Sequence, residues 1–337
     1  MIRRSQTGRM TARAGGAERA AVPAPLLILG SVVSIQAGQA LGKGMFAAAG
    51  TAGVVVLRLG FAAAVLLLVR RPPLPRGSAG LAAALGAAIA GMHLIYPAMQ
   101  RLPVGVASAF QFLGPLTLAL VEARRPADLL WAALAGAGVF LMDAPGGAPL
   151  PPSGVVLAVA SGACMAGYLV LNKRAGARPG SALTWGVVAG AALVLPLAPA
   201  AGDGLADPGV LAAGLGLAVL SAVLPWSLDQ AALRRLPERT VAVMVSLEPA
   251  AGAVAGLVLL GEHLAWTRWL AIGCVCAAST GAALSRRSSR ASRSPHPGGR
   301  GSGEQGEVGQ EGDGQGRGDE AVADRRAGRA HEEPRGQ

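Results

Sequence analysis

From Pro25 to Leu284 the chain alternates long apolar stretches with short breaks of Arg, Pro, Gly or Asp. The apolar stretches cover 25 to 46, 51 to 69, 79 to 100, 103 to 122, 127 to 143, 153 to 173, 182 to 200, 210 to 232, 239 to 261 and 265 to 284. A helix needs about 20 mostly apolar residues to cross a hydrocarbon layer of ~30 Å, so the pattern predicts an all-α polytopic membrane protein with ten transmembrane helices.

Polar residues inside these stretches recur at helical spacing. Gln36, Gln39 and Lys43 form one set; His93, Tyr96 and Gln100 a second; Ser108, Gln111 and Pro115, with Glu122 further on, a third; Thr240, Met244 and Glu248 a fourth. Each set occupies one helix face. Polar groups left facing lipid cost several kcal/mol, so four such stripes predict a polar interior surface. The competing reading for any single Gln or Ser is a hydrogen bond that glues two helices together.

Two charges resist that plainer reading. Arg58, within G-V-V-V-L-R-L-G-F, lies too deep to snorkel to either surface and needs a partner, for which Glu248 is the obvious candidate. Glu248 stands directly before Pro249 in S-L-E-P-A-A-G-A-V-A-G. Pro249 and Pro115 each remove a backbone donor near the middle of a span, where carriers break helices to free polar backbone for a ligand. We therefore expect helix-breaking hinges at both prolines, and a Glu248 that carries a proton or holds an ammonium group. Gly252 and Gly256 form a G-x-x-x-G face suited to close helix packing, within one chain or between two copies, so a homodimer is retained as an expectation.

Composition agrees with the pattern. The 337 residues are 52% hydrophobic and 15% charged, too apolar for a soluble domain. A net charge of +11 would point a soluble protein toward nucleic acid, but here the cations follow topology. With the N-terminus in the cytoplasm, the cations near 3 to 19, 70 to 76, 124 to 125, 173 to 178, 234 to 239 and 286 to 290 all fall inside. Only Arg101 and Arg268 fall outside, with Lys43 near the outer end of its span. The positive-inside rule then favours both termini in the cytoplasm, and since topology accounts for the cations no nucleic-acid partner is expected. No apolar stretch precedes a cleavage site, so the first span is expected to be retained.

The body repeats itself. Arg101-Leu102-Pro103 recurs 134 positions later as Arg235-Leu236-Pro237, and the same offset maps Gly114-Pro115 on Glu248-Pro249. Two five-helix halves must be inverted relative to one another, the construction of many secondary transporters. The expected organisation is a cytoplasmic tail over 1–24, a first half over 25–143, a second over 144–284, and a polar, disordered cytoplasmic tail over 285–337.

Enzyme and cofactor signatures are missing: there is no phosphate loop, zinc-binding H-E-x-x-H or nucleophile elbow. Cys164, Cys274 and Cys276 fit no metal or redox spacing and read as small interior residues. Neither an enzymatic activity, a metal nor a cofactor is expected.

Six stretches carry a family resemblance: S-I-Q-A-G-Q-A-L-G-K-G-M-F from Ser34, Leu57-Arg58-Leu59, Q-F-L-G-P from Gln111, R-R-P-A-D-L-L-W from Arg124, L-P-W-S-L from Leu224, and Ser246-Leu247-Glu248-Pro249. Together they resemble the EamA-type branch of the drug/metabolite transporter superfamily, and within it the threonine/homoserine exporters. The resemblance implies a ten-helix carrier in the bacterial inner membrane that exports small amino acids or related metabolites, driven by inward proton flow. It departs at Gln111, where such exporters often carry a carboxylate, which leaves Glu248 as the principal midmembrane acid. Glu248, Arg58, Gln36, Gln39, Lys43, His93, Tyr96 and Gln111 are the expected substrate- or proton-binding residues. The alternatives are a carrier of the same fold for drugs or other metabolites and, from a different class, an intramembrane enzyme or a non-transporting membrane partner.

Overall fold

Prolines set many of the helix boundaries. The computed structural model describes residues 23–73, 79–121, 126–143, 149–174, 179–233 and 235–291, and among them there is no strand. The helices are α1 (Ala24–Gly44), α2 (Phe46–Arg70), α3 (Ala79–Met92), α4 (Ile95–Met99), α5 (Val104–Val121), α6 (Pro126–Met142) and α7 (Pro152–Arg174) in the first part of the chain. They continue as α8 (Pro179–Val194), α9 (Pro208–Ala218), α10 (Leu224–Leu233), α11 (Glu238–Val245), α12 (Glu248–Leu260) and α13 (Trp266–Ala291). Pro126, Pro152, Pro179 and Pro208 each open a helix, where the missing N–H would have had no intrahelical partner.

Several expected spans are helices in two pieces. The third divides at His93 and Leu94 between α3 and α4, and the ninth at Ser246 and Leu247, directly before Glu248-Pro249. The eighth passes from α9 through a π-helical turn, Val219–Val223, into α10. Helix α5 stays continuous through Pro115. Among the described residues nine helical spans are long and apolar enough to cross a membrane. The expected fifth span corresponds to α6, whose 17 residues reach only about 26 Å at the α-helical rise, and whose apolar part is shorter still.

Burial runs opposite to that of a soluble protein. Large apolar side chains stand on the periphery, with Phe140 81% and Val258 71% exposed, while Gln36, Ser108 and Ser161 are buried among the helices. The chain is a multi-pass membrane protein. Residues 1–22 and 292–337, with Glu122, Arg124 and Arg125, lie outside the described residues; α13 itself runs past Leu284 to Ala291, with no Gly or Pro between those two residues.

Close packing positions the centre. Pro115 has no N–H to give the carbonyl of Gln111, and α7 fills the space beside that freed oxygen with Gly162. A Cβ on Gly162 would collide with the Gln111 oxygen, and one on Gly114 with the Gly162 oxygen, so the two backbones touch. Gly252 likewise lets α12 lie directly on Gln36 of α1 and Ser108 of α5.

Candidate functional site

The broken helices converge on a cavity of about 140 Å³. Gln39 comes from α1, Arg58 from α2, His93 from the break after α3, Gln111 from α5, and Glu248 from the first turn of α12. Apolar walls are supplied by Met92, Met165 and Trp226, with the Tyr168 ring beside them.

Arg58 is held by a consequence of Pro225. An α-helix would bond the N–H of residue 225 to the carbonyl of Ser221, but proline has none to give, and the chain takes a π turn there. The freed Ser221 carbonyl accepts Arg58 Nη2 at 3.0 Å, and the Ser221 hydroxyl accepts Arg58 Nε at 2.7 Å. Two α1 hydroxyls serve the same irregular stretch, Ser34 donating to the Leu220 carbonyl and Ser31 to that of Pro225. On the other side Arg58 Nη1 meets His93 Nε2 at 2.5 Å, while His93 Nδ1 bonds the Ile89 carbonyl at 2.7 Å. With Nε2 accepting from Arg58, Nδ1 is the donor to that carbonyl. Tyr96, fully buried, stacks on His93 and lies beneath the guanidinium, 5.7 Å from its carbon to the ring centroid.

Glu248 occupies the opposite wall. The break before Pro249 places it at the start of α12, and its backbone carbonyl accepts Gln36 Nε2 at 2.7 Å while the same nitrogen reaches Ser108 Oγ at 3.1 Å. Arg58 and Glu248, expected as partners, line the same cavity without an ion pair between them. Gln111 is fixed by Ser161 Oγ at 2.7 Å, which itself donates to the Met92 carbonyl. Gln39 has a buried amide oxygen with no hydrogen-bond partner.

Of the eight residues expected at a site, Gln39, Arg58, His93, Gln111 and Glu248 face the cavity. Gln36 and Tyr96 stand behind them as supports, and Lys43 lies apart, paired with Glu262 at 2.6 Å at the other end of α1. Pro249 adjoins Glu248, and Pro115 lies one turn beyond Gln111. Sequence reasoning did not single out Ser221, Tyr168, Trp226 or Asp229. Asp229 is three residues beyond Trp226 on α10, within electrostatic reach of Glu248 and Tyr168, and its Oδ1 is buried without a hydrogen-bond partner. The Trp226–Asp229 spacing after Pro225 was the available signal for it.

Residues 152–284 match the EamA-like transporter family. The threonine/homoserine exporter RhtA of Salmonella typhimurium (strain SL1344) is 38% identical over 270 residues, covering 78% of this chain and 92% of the exporter. The threonine/homoserine exporter RhtA of Escherichia coli (strain K12) is 37% identical over 270 residues with the same coverage. A solved crystal structure superposes with a TM-score of 0.51 at 20% identity, covering 78% of this chain and 98% of that one, a likeness of fold.

Proposed function

The chain belongs to the EamA-like transporter family, and from that premise we propose that it exports small amino acids of the threonine/homoserine kind by exchange for protons. It is a transporter and not an enzyme. The observation that carries the substrate reading is the pair Arg58 and Glu248, which face one cavity of about 140 Å³ and leave each other unpaired. A free amino acid presents a carboxylate and an ammonium at once, and is small enough for this cavity. Its carboxylate pairs with the guanidinium of Arg58, already oriented by Ser221 and His93, and its ammonium pairs with Glu248. The buried amide oxygen of Gln39 accepts from the side-chain hydroxyl.

Proton exchange follows from the same carboxylate. A proton arriving at Glu248 neutralises it and releases the ammonium; when the proton leaves toward the other side, the carboxylate is free to take the next substrate. Ten helices in two inverted halves, 25–143 and 144–284, alternate access around this point, in an inner membrane with both termini cytoplasmic. The cavity is smaller than the ~300–1,000 Å³ that drug-sized ligands fill, which favours amino acids over drugs.

The test is efflux of labelled threonine and homoserine from liposomes holding the purified protein, with and without an imposed pH gradient. Efflux of both that rises with the gradient supports the proposal; none from folded protein removes the substrate, and efflux indifferent to the gradient removes the exchange.

A further inference from the structure

At the end of the bundle where α1 finishes, a cluster of polar contacts ties several helix ends together. Gly261, with φ of 67°, ends α12 in a left-handed turn, and the N–H of Glu262 folds back to the Gly256 carbonyl at 3.0 Å. That turn throws the Glu262 side chain across Gly256, a position where any Cβ would strike its carboxylate. One oxygen, Oε1, takes Lys43 Nζ at 2.6 Å; the other, Oε2, accepts the N–H of Val104 at 2.8 Å. Lys43 also donates to the Leu102 carbonyl at 2.8 Å. The cluster thus ties the end of α1, the turn between α4 and α5, and the end of α12, which come from both halves of the chain.

Beneath it lies a second layer. Gly42, next to Lys43, packs against Tyr96, whose ring meets Phe46 edge-on and stacks on His93 of the cavity. The contacts therefore run from Lys43–Glu262 at the end of α1 to Tyr96 with Phe46 and on to His93 of the cavity.

We propose that Lys43 and Glu262 form the latch of the gate at this end, made when the cavity is shut off from it and broken when the cavity opens to it. Three features support a latch over a static clasp. The pair is part-exposed, at 22% and 15%, so water can re-solvate both ions when they separate. Its partners sit at helix ends, which can part without unwinding a helix. Under the proposed topology a cation and an acid also stand at helix ends on the opposite side, Lys173 finishing α7 and Asp128 opening α6. The latch rests on the carrier reading above but on no particular substrate.

The test places a single cysteine at Ala62, which lines the cavity, in a protein whose Cys164, Cys274 and Cys276 are replaced by Ala. A membrane-impermeant maleimide is added on the face opposite the C-terminal tail. Lys43→Gln and Glu262→Gln should each speed labelling about fivefold, the factor expected for a part-exposed pair, and Lys43→Arg, which keeps the charge and the donors to Glu262 and Leu102, should label near the parent rate. Labelling at the parent rate in both inserted single variants overturns the latch, as does Lys43→Arg labelling as fast as Lys43→Gln. Should Glu262→Gln fail to insert, Lys43→Gln decides alone, since it keeps the Glu262 bond to Val104. Labelling uses no amino acid, so a failure of threonine efflux would leave this result standing.

Discussion

Arg58 donates through Nη2 to the carbonyl oxygen of Ser221 at 3.0 Å, an oxygen that the helix leaves free because Pro225 has no N–H to offer it. A proline in one helix thereby orients a cation in another. Replacing Pro225 by Ala lets the helix take that carbonyl back, and export should fall several-fold while the protein remains in the membrane. Efflux per inserted molecule, measured in liposomes, checks this.

Arg58→Lys should be far more damaging than its retained charge suggests. Lysine lacks the fork that reaches Ser221 Oγ, Ser221 O and His93 Nε2 together. A hydrogen bond to a charged group contributes about 1.5–3 kcal/mol, so losing one shared by site and substrate should cost export roughly tenfold or more. A Lys variant that exports like the parent would free Arg58 from any role in binding.

Glu248→Gln keeps the shape of the side chain and removes its charge. Insertion and fluorescence-detected folding should be unchanged, gradient-driven threonine efflux should be lost, and raising the external proton concentration should no longer accelerate it. Retained proton-dependent efflux would move the coupling elsewhere, with Asp229, the other acid within its electrostatic reach, the first place to look.

Gly162→Leu tests packing alone. Any side chain there drives into the Gln111 carbonyl, backbone against backbone with no flexible group to yield. Overpacking costs about 1–3 kcal/mol, and thermal unfolding in detergent should shift downward accordingly. Gly167→Leu, at a position open around its Cβ, is the control and should leave the transition unmoved.

The proposed orientation is open to a direct reading. In a protein with its native cysteines replaced by Ala, Ser302→Cys in the C-terminal tail should react with an impermeant maleimide only after the membrane of intact cells is made permeable. Labelling in intact cells would reverse the orientation and with it the side on which Lys43 and Glu262 lie.

Much of the fold was legible because lipid imposes a coarse and strong rule: apolar runs of helical length, punctuated by cations. Gln36, Gln39, His93 and Gln111 were readable as an interior face because their spacing is helical and their solvation in lipid is costly. The sequence did not reveal which of them face the cavity, since Gln36 and Gln39 share a stripe yet one braces Glu248 and the other stands open to the cavity. Lys43 lies on the same stripe and reaches Glu262 instead, because a stripe fixes direction around a helix and not depth along it. The π turn at Ser221 escaped notice for another reason: Pro225 announces a lost bond, but which cation collects the free carbonyl depends on a helix 163 residues away in sequence. The span through α6 was expected from the apolar stretch over 127 to 143, and its apolar helix is shorter than the nine spans long enough to cross a membrane among the described residues.

The central claim is that Arg58 and Glu248 grip the two ends of one zwitterion. Competition in liposomes tests it most directly: labelled threonine efflux is measured against unlabelled threonine, threonine methyl ester and N-acetylthreonine loaded on the same side. The ester keeps only the ammonium and the acetyl compound only the carboxylate. The account predicts that unlabelled threonine competes and that each half-charged analogue is at least about tenfold weaker, the loss of one charge-assisted contact. An analogue that competes as well as threonine would contradict it, the ester by leaving Arg58 without a substrate carboxylate and the acetyl compound by leaving Glu248 without an ammonium.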